Sequence, residues 1–132
     1  VDDLEDVKKY IYSLTKLALS KSGTVNMELA LYGVPQVVGY RVSRVTAFIA
    51  KKILNFKVRF ISPVNLLIKK SVIPEFVQKE FVSEKIFKKS CQLIENKKQI
   101  EKIKNGYHLL KRELGEEGGV NRAAEEILKS IN

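Results

Sequence analysis

The sequence predicts an α/β fold in which a parallel sheet is covered by helices and closed by a helical C-terminal region. A short, mostly apolar run at residues 16–20 and a β-branched run at 36–40 alternate with segments of helical periodicity, the pattern of repeated strand and helix units. Each run breaks at a polar turn that leads into the next helix, and from Ser83 onward the pattern is helical alone.

Each element has its own signal. Leu4, Val7, Tyr10, Ile11 and Leu14 recur with a period near that of an α-helix behind a cluster of acids, which the helix dipole favours in a first turn. Lys16 to Ser20 reads as a strand that ends at Ser22-Gly23-Thr24, and Val25, Met27, Leu29, Ala30 and Leu31 read as a helix stopping near Gly33. Pro35 opens the strand Gln36-Val37-Val38-Gly39-Tyr40, followed by Arg41 and a helical pattern from Arg44 to Leu54. Val58 to Ile61 predicts a third strand, Ser62-Pro63-Val64-Asn65 breaks it, and Leu66, Leu67 and Ile68 form a short apolar turn. Ile86, Leu93, Ile94, Ile100, Ile103, Leu109 and Leu110 stripe the closing helices, with a glycine-rich break at residues 115–119.

A chain of 132 residues has the usual size of one domain. Its single cysteine, Cys91, excludes an internal disulfide and any paired-cysteine metal or redox site. No apolar stretch reaches the roughly 20 residues of a membrane-spanning helix. The opening Val1-Asp2-Asp3-Leu4 lacks an initiator Met and an apolar signal core, so it reads as an interior cut. A formal charge of +9 points to an anionic partner: a phosphorylated ligand, a nucleic acid or an acidic membrane.

In parallel sheets ligands bind beyond the carboxyl ends of the strands, where three turns stand out. Ser22-Gly23-Thr24 offers hydroxyls, a glycine and free amides at a positive dipole end, which suit a phosphate or pyrophosphate; an ordinary helix cap is the alternative. Glu28, one turn on, has the carboxylate to accept two ribose hydroxyls, or is a solvated glutamate. Arg41 at the strand end suits a forked phosphate contact, or a surface ion pair. Asn65 and Gln78 suit either a ligand or the capping of their own turns. The pairs Lys51-Lys52, Lys69-Lys70, Lys88-Lys89 and Lys97-Lys98 are dispersed, as on a solvated surface, although the 44–54 helix also suits anionic lipid. The aromatic residues match no RNA-stacking motif, which disfavours nucleic acid. His108, the only histidine, has no nucleophile or ligand beside it, so neither a triad nor a metal site is expected.

Several blocks occur together between Ser22 and Gln78: Ser22-Gly23-Thr24 with Glu28, Pro35-Gln36-Val37-Val38-Gly39-Tyr40-Arg41, Thr46 with Ala50-Lys51, Asn65-Leu66-Leu67, and Pro74-Glu75 with Gln78. In order and spacing they resemble lipid-A-disaccharide synthase, the family that joins two acylated glucosamines with release of UDP. One departure is Ser62-Pro63-Val64-Asn65, where the family usually has Ser-Leu-Pro-Asn. The resemblance implies part of a Rossmann-like GT-B glycosyltransferase C-terminal domain: residues 1–82 form a truncated nucleotide-sugar-binding region, and residues 83–132 form helices packing on it. It also implies that the acceptor-binding half, with the catalytic acidic residue, lies outside this chain, which alone is inactive.

On the same ground the donor is UDP-2,3-diacylglucosamine and the acceptor an acylated monosaccharide phosphate, joined by inverting displacement without a metal or cofactor. Ser22, Gly23 and Thr24 would face the phosphates, Glu28 the ribose, Arg41 the diphosphate or the chain's own loops, and Asn65 and Gln78 the sugar. The implied location is the cytoplasmic side of a bacterial inner membrane, peripheral to it, or the mitochondrion in a eukaryote, with self-association open. The alternatives are the donor half of another UDP-sugar enzyme and a non-catalytic basic module that binds nucleic acid or membrane.

Overall fold

The computed structural model describes residues 2–41, 43 and 59–115. Their elements run α1 (Asp2–Leu14), β1 (Ala18–Lys21), α2 (Thr24–Leu31), β2 (Gln36–Tyr40), α3 (Pro63–Ile68), β3 (Glu75–Val77), a 3-10 turn (Gln78–Glu80), α4 (Ser83–Glu95) and α5 (Lys97–Leu114). The expected helix 44–54, the blocks Thr46 and Ala50-Lys51, and everything beyond Gly115 lie outside the described residues.

The sheet is parallel and ordered β1-β2-β3. Ala18 stands opposite Gln36 and Lys21 opposite Gly39, while Val38 stands opposite Glu75 and Tyr40 opposite Val77. β2 is central, and its Gln36, Val37 and Val38 are buried, as a strand covered on both faces requires. The core gathers Ala30, Val37, Val38, Val64, Ile73, Leu93, Ile103, Tyr107 and Leu110, so α2, α3, α4 and α5 all pack on β2 or on one another.

The third strand is not where the sequence places it. Val58 lies outside the described residues, and Arg59–Ile61 form no strand. The Ile61 amide donates to Glu75 Oε2 at 2.8 Å and the Ser62 amide to Glu75 Oε1 at 2.9 Å, so a carboxylate rather than a neighbouring strand satisfies this backbone. The edge of β2 is taken instead by Pro74 and β3, with the Val38 amide donating to the Pro74 carbonyl at 2.9 Å. The expected turn at Leu66–Ile68 is the end of α3, which Ser62 caps by accepting from the Asn65 amide, with Pro63 in the first turn.

Among the described residues four polar ones are fully buried: Asn26, Gln36, Ser62 and Asn65. Two of them tie the sheet to α2 and α5. Asn26 Nδ2 donates to Gln36 Oε1 at 3.0 Å and to Ser20 Oγ at 2.9 Å. Gln36 Nε2 donates back to the Asn26 carbonyl at 2.9 Å and to the Tyr107 hydroxyl at 3.3 Å, which in turn donates to the Val34 carbonyl at 3.0 Å. Burial pushes the Tyr107 hydroxyl well above its ordinary pKa, so it keeps the proton it donates. Among the described residues no buried side-chain nitrogen or oxygen lacks a partner, which is what makes such a network affordable in a core.

Two substitutions test this packing. Gly106 of α5 lies against Val72, whose branched side chain a Cβ at 106 would strike. Alanine in a helix interior ordinarily gains about 1 kcal/mol over glycine, whereas overpacking costs about 1–3 kcal/mol. Gly106→Ala is therefore expected to lower stability in urea denaturation, not raise it. Gln36→Leu strands Asn26 and Tyr107 and is expected to cost about 1–3 kcal/mol. The double variant Asn26→Leu/Gln36→Leu is expected to lose less than the sum of the two single variants.

Candidate functional site

The carboxyl edge of the sheet collects three turns. Ser22-Gly23-Thr24 follows β1, Arg41 follows β2 and Gln78 follows β3, and the strand register makes them neighbours. Asn65 stands behind this edge, and Glu28 lies one helical turn further along α2.

The first turn is shaped from behind. Asn26 Oδ1 accepts from the Gly23 amide at 2.8 Å, and the Asn26 amide donates to the Gly23 carbonyl at 3.1 Å. The Ser22 amide is spent on the Gly39 carbonyl, and Ser22 Oγ donates to the Ile61 carbonyl at 2.9 Å. A helix leaves its first amides without intrahelical acceptors. Here the cap consumes that of Gly23, so Thr24 and Val25 hold the outward donors, at the positive end of the α2 dipole. Thr24 is exposed and its hydroxyl has no partner among the described residues. Gly23 has a φ of 163°, extended backbone that any residue adopts, and a Cβ there would meet nothing within 4 Å. What glycine supplies here is open space above the turn.

Arg41 is exposed and has no acidic partner among the described residues. With Lys21, at the end of β1, it borders a cavity of about 360 Å³ whose other walls include Leu19, Val37, Gly39, Phe81 and Ile86. Two unpaired cations, two helix amides and a hydroxyl thus converge on one edge, an arrangement that favours a phosphorylated anion. Lys21 carried no signal in the sequence beyond its charge.

Of the remaining expected residues, Glu28 and Asn65 are engaged within the chain. Glu28 pairs with Lys8 of α1, whose ammonium pKa its hydrogen bond raises. This pair is open to water, and such pairs are weak. Asn65 is buried: its Oδ1 accepts from the Val72 amide at 2.7 Å and the Ile73 amide at 3.0 Å, and its Nδ2 donates to the Ile73 carbonyl and Glu75 Oε1, both at 2.8 Å. Gln78 is half-buried and adopts a φ of 53°, in the left-handed region that costs a non-glycine residue energy.

Glu75 is the residue that the sequence reading left without a role. Its Oε1 also accepts from Ser62 Oγ at 2.6 Å, so one carboxylate gathers Ile61, Ser62 and Asn65. Through Ser22 and Ile61 this cluster reaches the β1–α2 turn. Its partners are 10–14 residues away across a loop, beyond any local spacing pattern. Among the described residues no group of three or more His, Cys, Asp or Glu side chains is placed to hold a metal.

Comparison with known proteins identifies the family. The model of the family described as lipid-A-disaccharide synthetase matches residues 3–131. The chain is 49% identical over 124 residues to a lipid-A-disaccharide synthase of Prochlorococcus marinus, covering 94% of this chain and 32% of that protein. It is 48% identical to the enzyme of the same name from Gloeothece citriformis, over 87% of this chain and 30% of the relative. For that of Aquifex aeolicus the identity is 37%, over 92% of this chain and 32% of the relative. The chain thus spans about a third of the length of these curated relatives. An α/β fold with a parallel sheet, a match that runs nearly end to end and relatives that share one name lead to one conclusion: the chain belongs to the lipid-A-disaccharide synthetase family, glycosyltransferases of lipid A biosynthesis.

Proposed function

We propose that this chain is the donor-holding part of a lipid-A-disaccharide synthase and that its ligand is UDP-2,3-diacylglucosamine. The observation that carries the reading is the β1–α2 turn: open space over Gly23, the outward amides of Thr24 and Val25, and the unpaired Arg41 one strand away. In this reading the diphosphate lies over Gly23, where the helix amides and the Thr24 hydroxyl receive one phosphate and Arg41 the other. As the bond from the anomeric carbon to the departing UDP breaks, negative charge grows on the diphosphate, and donors already fixed around it stabilise the transition state more than the ground state. Glu28 exchanges Lys8 for the ribose hydroxyls. Gln78 stands nearest the sugar.

Ser22 and Asn65 act differently from Thr24 and Arg41. Their hydrogen bonds are internal, so they position the turn and the neighbouring loop instead of holding the ligand. The acceptor, an acylated monosaccharide phosphate, and the general base belong to the portion of the relatives that this chain does not span. On its own the chain is expected to bind UDP and to make no disaccharide. The working place proposed for the complete protein is the cytoplasmic face of a bacterial membrane; among the described residues no helix is long and apolar enough to cross one.

Calorimetric titration of UDP into the purified chain tests this. Saturable binding is expected for the wild type. Arg41→Ala removes a charge-assisted contact worth about 1.5–3 kcal/mol, so its affinity is expected to fall roughly ten- to a hundredfold. Gly23→Val is expected to leave circular dichroism unchanged, because the backbone there is extended and the space empty, yet to abolish binding. A folded wild type that does not bind UDP, or a Gly23→Val variant that binds as well as wild type, would overturn the reading.

A further inference from the structure

Lys21 and Arg41 are only two of the 24 basic residues behind the formal charge of +9, and a second basic concavity lies beyond the β1–α2 turn. It sits between α4, α5 and the segment Ser71–Pro74, which leads into the amino end of β3. Its volume is about 410 Å³, within the range of small-ligand sites. Lys89 of α4 and Lys102 of α5 both line it, and no acidic side chain does. Among the described residues neither lysine has a carboxylate within ion-pair distance. Lys89 is half-buried, and its ammonium donates to Gln99 Oε1 at 3.3 Å, a long contact with a neutral acceptor. Two like charges that share one partly desolvated concavity repel each other, and an anion between them relieves that cost. The cavity also has an apolar side, since its wall residues Ile73, Leu93 and Ile103 are buried.

We propose that this cavity binds a phosphomonoester borne on a hydrocarbon group. The phosphate lies between Lys89 and Lys102, with the Ser71 hydroxyl and the Gln99 side-chain amide as further donors, and the hydrocarbon rests against Ile73, Leu93 and Ile103. Three observations select this chemistry. A phosphomonoester carries close to two negative charges at neutral pH, which matches two ammoniums where a single carboxylate would leave one unbalanced. Lysine serves as a point charge for phosphate and needs no forked geometry. No aromatic side chain lines the cavity, so a nucleobase would find no ring to stack on. The cavity shares no residue with the β1–α2 turn, and the proposal does not rest on the donor reading.

Calorimetric titration of hexyl phosphate into the purified chain, at about 0.15 M salt so that exposed charges are screened, tests this. Saturable binding is expected, roughly tenfold or more tighter than that of inorganic phosphate, because each buried methylene adds about fourfold in affinity. Lys89→Gln/Lys102→Gln is expected to keep its circular dichroism and to bind roughly tenfold or more weakly, as loss of charge-assisted hydrogen bonds requires. Lys102→Gln alone, at an exposed position, is expected to act in the same direction. Lys97→Gln/Lys104→Gln removes the same charge from residues of α5 that do not line the cavity and is expected to bind as wild type. Flotation with phosphatidylcholine vesicles containing phosphatidate separates the two sources of such a phosphate. Vesicle binding lost in the Lys89/Lys102 variant assigns it to a lipid headgroup, and hexyl phosphate binding without vesicle binding assigns it to a soluble ester. A chain that does not bind hexyl phosphate saturably, or equal losses in the two double variants, would overturn the proposal.

Discussion

The reciprocal hydrogen bonds between the buried amides of Asn26 and Gln36 are the constraint on which the carboxyl edge of this sheet depends. Gln36 opens the central strand and Asn26 lies in the first turn of α2, so the pair fixes where the helix starts relative to the sheet. From there the consequences run in two directions. Toward the surface, Asn26 Oδ1 takes the Gly23 amide and so decides which backbone donors remain outward. Toward the core, Gln36 reaches Tyr107, so α5 is locked to the same turn. A buried polar group without a partner is costly, and this cost makes the arrangement specific: the amides are satisfied in one register of strand, turn and helix.

A second cluster, built on Glu75, performs the same service for the loop before α3. Its carboxylate replaces the strand partner that Ile61 and Ser62 lack, and Asn65 carries the tie to the backbone ahead of β3. Because Ser22 donates to the Ile61 carbonyl, the two clusters support the same turn from opposite sides. The carboxyl edge is thus divided between residues whose hydrogen bonds are spent inside the chain and a smaller set, Thr24, Lys21 and Arg41, whose polar groups are not. Pre-positioned donors of the second kind need little reorganisation when charge develops before them.

Much of this was legible in the sequence. The run Gln36 to Tyr40 forms β2 residue for residue, α2 begins at Thr24 as the Ser-Gly-Thr turn suggested, and the spaced blocks pointed to the family. What stayed hidden shares one physical origin. Val58 to Ile61 has the stronger β pattern, yet three residues, Glu75 to Val77, form the third strand because a distant carboxylate satisfies the Ile61 and Ser62 amides. Asn26 and Gln36 are polar by type and are buried because they satisfy each other. Glu28 meets Lys8 across 20 positions of sequence. Periodicity reports which faces are apolar; it does not report long-range hydrogen-bond partners.

The central claim is that the Asn26 cap leaves the amides of Thr24 and Val25, with the Arg41 guanidinium, as the groups that meet a diphosphate. The most direct measurement is a two-dimensional amide spectrum of the nitrogen-15-labelled chain during UDP addition, with Gly23 amide exchange followed in parallel. The expected result is saturable shifts centred on Thr24, Val25 and Arg41, with the Gly23 amide protected before and after binding. Saturable shifts centred away from the β1–α2 turn, or a Gly23 amide that exchanges freely in the unliganded chain, would contradict it.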